Sequence, residues 1–109
     1  MVSLNKKIVD TLNKIGIPVF YQETSDMLDK YIIFSIYNEK DSMYTNDINL
    51  SETYSITLNY WYKSNQDLGI YKKIKEVMKE NGFIFTGAKD LKEGSYFGKN
   101  MDFFYEELL

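Results

Sequence analysis

Between Thr53 and Lys63 the chain alternates without a break, and no other stretch constrains the fold as much. Tyr54, Ile56, Leu58, Tyr60 and Tyr62 fall on one side, while Thr53, Ser55, Thr57, Asn59, Trp61 and Lys63 fall on the other. Successive side chains of a strand point to opposite faces, so this period of two reads as a half-buried β-strand. One face is a core surface. The other is polar with a single large exception, Trp61. A sheet has to be built around this strand, and apolar elements have to cover its Tyr/Ile/Leu face.

The flanking segments supply those elements. Ser3 is placed to cap a helix whose apolar positions Leu4, Ile8, Leu12 and Ile15 recur at helical spacing, and Gly16 is placed to end it. Ile17 to Tyr21 reads as a short strand with Pro18 at its entry, where no ladder hydrogen bond is lost. In Tyr31 to Asn38, Ile32, Phe34 and Ile36 share one face and Tyr31, Ile33, Ser35 and Tyr37 the other, which predicts a central strand or one with a covered face. Glu39 to Ser51 reads as a long connection whose ends, including Met43 and Tyr44, extend a hairpin. Ser64 to Asp67 has the spacing of a capping box before a helix with the apolar stripe Ile70, Tyr71, Ile74, Val77 and Met78, closed by Gly82. Phe83 to Phe85 follows as a short strand, Gly87 to Ser95 as a polar loop, and Tyr96 to Glu106 as a last strand. The expected architecture is a single α+β domain over residues 1–109, in the order α-β-β-β-α-β-β. Its sheet is mostly antiparallel or mixed, with two helices packed on one face.

Composition narrows the chemistry. There is no Cys and no His, and all 13 basic residues are Lys. Disulfides, thiolate sites, the usual general base and bidentate guanidinium clamps are therefore unavailable. A net charge of −3 does not supply the basic field that stable nucleic-acid binding requires. The apolar runs are far shorter than the roughly 20 residues of a membrane helix, and no apolar stretch follows the charged N-terminal residues. These features predict a cytosolic chain without membrane contact.

Motifs that suggest sites have simpler readings. Asp41, Asp47 and Glu52 lack the ligand alternation of a calcium loop and read as a solvated hairpin tip. Lys72, Lys73 and Lys75 share their helix surface with Glu76 and Glu80, the pattern of a wet outer face. Gly94 to Lys99 lacks the spacing of a phosphate loop and reads as a hairpin turn. Asp102 and Glu106 lie about 13 Å apart on one strand face, too far for a glycosidase carboxylate pair. No catalytic residues, cofactor site or metal site is expected. The unexplained feature is large apolar side chains on the face away from the core: Tyr31, Ile33, Tyr37, Trp61 and Phe104. If both helices lie on the other side, these residues mark a partner surface unless a loop or the Met27–Leu28 segment covers them.

Read in order, the N-terminal helix, Ile17-Pro18-Val19-Phe20-Tyr21, Tyr31-Ile32-Ile33-Phe34-Ser35, the Asn/Asp-rich hairpin loop, Tyr54 to Trp61, the helix ending at Gly82, and Gly98 to Tyr105 form a pattern. That pattern resembles phage and prophage tail-terminator (tail-completion) proteins over nearly the whole chain. The resemblance implies a non-enzymatic subunit of a homo-oligomeric ring, typically a hexamer, that caps the tail tube, stops its polymerisation and joins it to the head or neck connector. DNA would only pass through such a ring, and the protein would occur in the host bacterial cytoplasm and then in the virion tail. On this reading the loop Glu39–Ser51, with Met43, Tyr44 and Asp47, and the surface of Tyr31, Ile33, Tyr37, Trp61 and Phe104 carry ring contacts. A head–tail connector or neck adaptor, and a small cytosolic ligand-binding module, remain alternatives.

Overall fold

The structure, a computed structural model, describes residues 3–25, 28–45 and 48–109. Helix α1 spans Leu4–Leu12 and starts where Ser3 Oγ accepts the Lys6 N–H at 3.2 Å. A 3-10 turn, Asn13–Ile15, continues it, and Gly16 closes the turn at φ 82°, a left-handed conformation that glycine adopts without steric penalty. Strands β1 (Val19–Tyr21), β2 (Lys30–Thr45) and β3 (Ile48–Tyr62) follow, then helix α2 (Ile70–Glu80) and strands β4 (Ile84–Glu93) and β5 (Tyr96–Leu108). The order is the α-β-β-β-α-β-β expected from the sequence.

The five strands form one mixed sheet in the order β1-β2-β3-β5-β4. The short β1 runs parallel to β2, and every other pairing is antiparallel. Strand β3 is bonded on both sides, with Phe34 and Met101 flanking Leu58 and with Ile36 and Phe103 flanking Ile56. On that face Ile32, Phe34, Ile56, Leu58, Tyr60, Met101 and Phe103 are buried beneath Ile8 and Leu12 of α1 and Ile74, Val77 and Met78 of α2. Both helices therefore cover the same side of the sheet. The molecule measures 53 × 25 × 25 Å because the β2–β3 hairpin continues past the helices.

Three local expectations are corrected. The connection Glu39–Ser51 is not a loop: β2 runs to Thr45 and β3 starts at Ile48, so the hairpin is strand on both sides almost to its tip. Polar residues sit on both of its faces, and the side chains buried there, Ser51 and Thr53, are themselves polar, so the apolar–polar alternation that reveals a half-buried strand is missing. Gly87 to Ser95 is likewise mostly strand. β4 continues to Glu93 as an edge strand, and charged residues such as Lys89, Asp90 and Lys92 suit such an edge; only Gly94 and Ser95 make the turn, with Gly94 at φ 57°. Finally, Ser64 caps the 3-10 turn Asn65–Asp67 by accepting the Gln66 N–H at 3.3 Å, and α2 begins at Ile70 with no side-chain cap. Asp67 is engaged elsewhere. Its carboxylate lies 3.1 Å from Lys30 Nζ, and its carbonyl accepts the Tyr60 hydroxyl at 2.9 Å.

Two outcomes are expected. Phe103 is 1% exposed at the centre of the core, so Phe103→Ala should lower the unfolding free energy by about 3–5 kcal/mol, read as a shifted urea midpoint at unchanged slope. Burial, followed by the nearby Asp67 and Tyr62, raises the Tyr60 phenol well above its ordinary value near 10. The folded chain then holds this proton more tightly than the unfolded chain. The resulting stability is complete below about pH 10 and is lost as the pH climbs toward the folded-state value. Unfolding followed across this alkaline range should show that decline, and Tyr60→Phe should make it shallower.

Candidate assembly surface

The sheet face away from the helices is built by the alternate residues of each strand. Tyr31, Ile33 and Ser35 come from β2, Ser55, Thr57, Asn59 and Trp61 from β3, and Gly98, Asn100, Asp102 and Phe104 from β5. Trp61 is directly opposite Gly98. A Cβ at Gly98 would lie 2.6 Å from Trp61 Cζ3 and 3.1 Å from Leu91 Cβ, so the indole lies across β5 in space that only glycine leaves open. Beside it, Tyr31 makes edge contacts with Tyr96 (ring centroids 5.7 Å apart) and with Phe20 (6.3 Å). The Tyr96 hydroxyl donates to the Leu28 carbonyl at 2.6 Å, and Lys63 Nζ lies 4.9 Å from the Tyr96 ring centroid. All four rings are half-buried.

The middle of this face is polar. Asn100 Nδ2 donates to Thr57 Oγ1 at 2.8 Å and to Asn59 Oδ1 at 2.7 Å, which ties β5 to β3 through side chains as well as backbone. Phe104 lies beyond this polar block, six residues from Gly98, or about 20 Å along the strand. It sits between Ser55 and Ile84, and Ile84 is 58% exposed.

The far end of the hairpin forms an arm. A bulge between Ile36 and Asn38 shifts the register of β2, so beyond it Glu39, Asp41 and Met43 share the helix-side face with Tyr54, Glu52 and Leu50 of β3. Strand β5 adds Glu107 opposite Glu52, and the Leu109 N–H donates to the Leu50 carbonyl at 3.0 Å. Two rows result. Asp41, Glu52 and Glu107 stand side by side across three strands, and Met43, Leu50 and Leu109 come next toward the tip, all exposed except the half-buried Glu52 and Glu107. Met43 holds φ 54°, a left-handed value uncommon for a side chain of its size. The Tyr54 hydroxyl donates to Glu52 at 2.6 Å, and that bond is the main cause of a phenol held far above its usual range. On the opposite side of the arm, Ser51 Oγ donates to Glu106 at 3.1 Å and lies 2.6 Å from Ser42 Oγ. Among the described residues no group of three acidic side chains is placed to hold a metal ion, and no helix is long and apolar enough to cross a membrane.

Neither the family models nor the curated proteins match this sequence. Solved structures do share its fold. One chain, whose name carries no description of function, aligns over 98% of this protein and 97% of its own length, with a TM-score of 0.59 at 5% sequence identity. At that identity the likeness concerns the fold alone.

The residues singled out from the sequence fall in three places. Tyr31, Ile33 and Trp61 share the helix-free face near one end of the sheet, whereas Phe104 lies on the same face but apart from them. Met43 and Tyr44 belong to the arm, where Tyr44 pairs with Asn49, and Asp47 lies outside the described residues. Tyr37 is the extra residue of the bulge. It is 60% exposed and has no cross-strand partner, so it does not extend the row of Tyr31 and Ile33. Met27 also lies outside the described residues, but Leu28 does reach Tyr96. The sequence reading missed Phe20, Leu91, Tyr96 and the role of Gly98. A small residue at strand spacing near a lone Trp was the available signal, but it requires knowing that β3 pairs with β5.

Gly98→Ala should displace Trp61 and Leu91, with a stability loss of about 1–3 kcal/mol and a shift in emission from the single tryptophan. In a Trp61→Ala background most of that loss should disappear. Two additive effects would show that the two positions are not coupled.

Proposed function

We propose that this protein is a structural subunit of a tail-terminator ring, capping a phage or prophage tail tube and joining it to the head or neck. The observation that carries the reading is the arm: an extension of the central sheet by the β2–β3 hairpin, flanked by β5 as far as Leu109, that presents exposed Met43, Ile48 and Leu50. An apolar projection on a small domain is stable in water only at a cost, and its common use is to be covered by another subunit. The aromatic end of the helix-free face, with Trp61 laid over Gly98, is a second apolar surface of the same kind. Between them lies a polar block rather than an enclosed pocket, which suits docking of a broad partner better than capture of a small molecule. On this reading the partners are further copies of the chain, the tube protein and a connector. The role involves assembly in the bacterial cytoplasm, residence in the virion tail and no catalysis.

The test is to add the purified protein to polymerising tail tubes and measure tube length by negative-stain microscopy. Short, capped tubes are expected with the intact chain. Capping should be lost when residues 42–51 are replaced by a two-residue turn, and weakened by Trp61→Ala. Unaltered tube lengths at saturating protein would overturn the terminator role, and binding to a portal complex in the same experiment would instead favour the connector alternative.

A further inference from the structure

The arm carries four carboxylates without an ion-pair partner among the described residues, three of which, Glu39, Glu52 and Glu107, line a cleft with Ser3, Leu4 and Asn5 at the start of α1. Glu39, Asp41, Glu52 and Glu107 share one face, three of them directly opposite one another across adjacent strands. Like charges in that arrangement destabilise a sheet. The ion pairs of the described residues are Lys6–Asp10, Lys30–Asp67 and Lys99–Asp90, so none of these four has a lysine partner. The next row toward the tip is apolar, with Met43 48%, Leu50 40% and Leu109 65% exposed. The face is thus an acidic band beside an apolar band.

The complement lies on the outer surface of α2. Lys72, Lys75 and Lys79 recur at helical spacing and, with Glu76 and Glu80, line a shallow groove of about 370 Å³. Lys72 and Lys79 have no carboxylate within 4.0 Å among the described residues, and Lys75 Nζ lies 4.1 Å from the Phe85 ring centroid. A lysine offers an apolar four-carbon stem beneath a charged head. A row of such side chains therefore presents the two surfaces that the arm lacks: aliphatic stems for Met43, Leu50 and Leu109, and ammonium groups for the acidic row.

We infer that the arm of one copy docks along the exposed face of α2 of a second copy. This inference rests on the ring reading and identifies the surfaces that join neighbouring subunits. Two different patches meet, so the contact is heterologous. Such contacts propagate from copy to copy and close into a ring when the rotation permits.

The test is charge reversal on the full chain. One variant combines Glu39→Lys, Asp41→Lys and Glu52→Lys, and another combines Lys72→Glu, Lys75→Glu and Lys79→Glu. Circular dichroism and urea midpoints first establish that each is folded, and light scattering then measures assembly at low salt. Each triple variant should weaken self-association by about a hundredfold or more, and a chain carrying both sets should recover it. Added salt should weaken the wild-type assembly as well. A folded arm variant that assembles like the wild type would overturn the contact and leave the tube-capping role standing. So would two weakened variants whose combination fails to recover, or a wild-type chain that stays monomeric at millimolar concentration and low salt. Conversely, rescue by the combined chain without capping of tail tubes would keep the contact and remove the terminator role.

Discussion

Strand β3 lies between β2 and β5 along nearly all of its length, and the rest of the molecule is arranged around that double pairing. Its core side chains do not merely point the same way. Leu58 is held between Phe34 and Met101, and Ile56 between Ile36 and Phe103, so the apolar rows run across three strands. A slip of one residue in either pairing would turn a whole row toward water, which makes the register strongly specified. The helices find their seats on the surface this creates. Ile8 and Leu12 of α1 and Ile74, Val77 and Met78 of α2 bury the rows, and Tyr60, fully buried, reaches the Asp67 carbonyl just before α2 and ties the connection to the sheet.

With both helices on one side, the other face has to be stable against water without a second layer. It achieves this in two ways. Asn100 donates to Thr57 and Asn59, so the centre of the face is a satisfied polar network that water does not penalise. At one end Trp61 folds down over Gly98, and Tyr31 and Tyr96 pack edge to face nearby. Large rings that lie flat on a sheet keep part of their area dry and leave the remainder available. That is the physical character of a surface able to exist alone and still gain from being covered.

The arm follows a different logic. Only the start of α1 meets its base, so its regularity comes from the backbone ladder and from its continuity with β3 and β5 more than from apolar burial. Because the arm is an extension of a rigid sheet, its apolar and acidic rows are held in place before any partner arrives. A preorganised surface loses less entropy on binding than a flexible loop of the same composition. The side-by-side carboxylates Asp41, Glu52 and Glu107 and the left-handed Met43 are local departures from what stability alone would select. Such departures are easiest to understand where a second surface compensates them, as the proposed subunit contact would do.

Much of this fold is legible in the sequence because burial imposes a period. Where one face is dry and the other wet, as in Tyr54 to Tyr62 or along α2, alternation or helical spacing must appear, and it identifies both the element and its inward side. The same rule explains the failures. In β4 most residues are exposed, and in the outer hairpin the side chains that are buried, Ser51 and Thr53, are polar, so no apolar period is imposed and strands resemble loops. Of the candidate surface, Tyr31, Ile33 and Trp61 could be assigned to a common face because parity along a strand is a local property. What places Trp61 over Gly98, separates Phe104 from it, moves Tyr37 out of register and brings Asp41, Glu52 and Glu107 into one row is the pairing of strands distant in sequence. By itself the sequence determined the elements, their order and which side of each faces the core, since these depend on neighbouring residues competing for water or burial. Only the tertiary structure decided which strands adjoin and in what register, because that choice is made by the long-range packing of whole apolar rows.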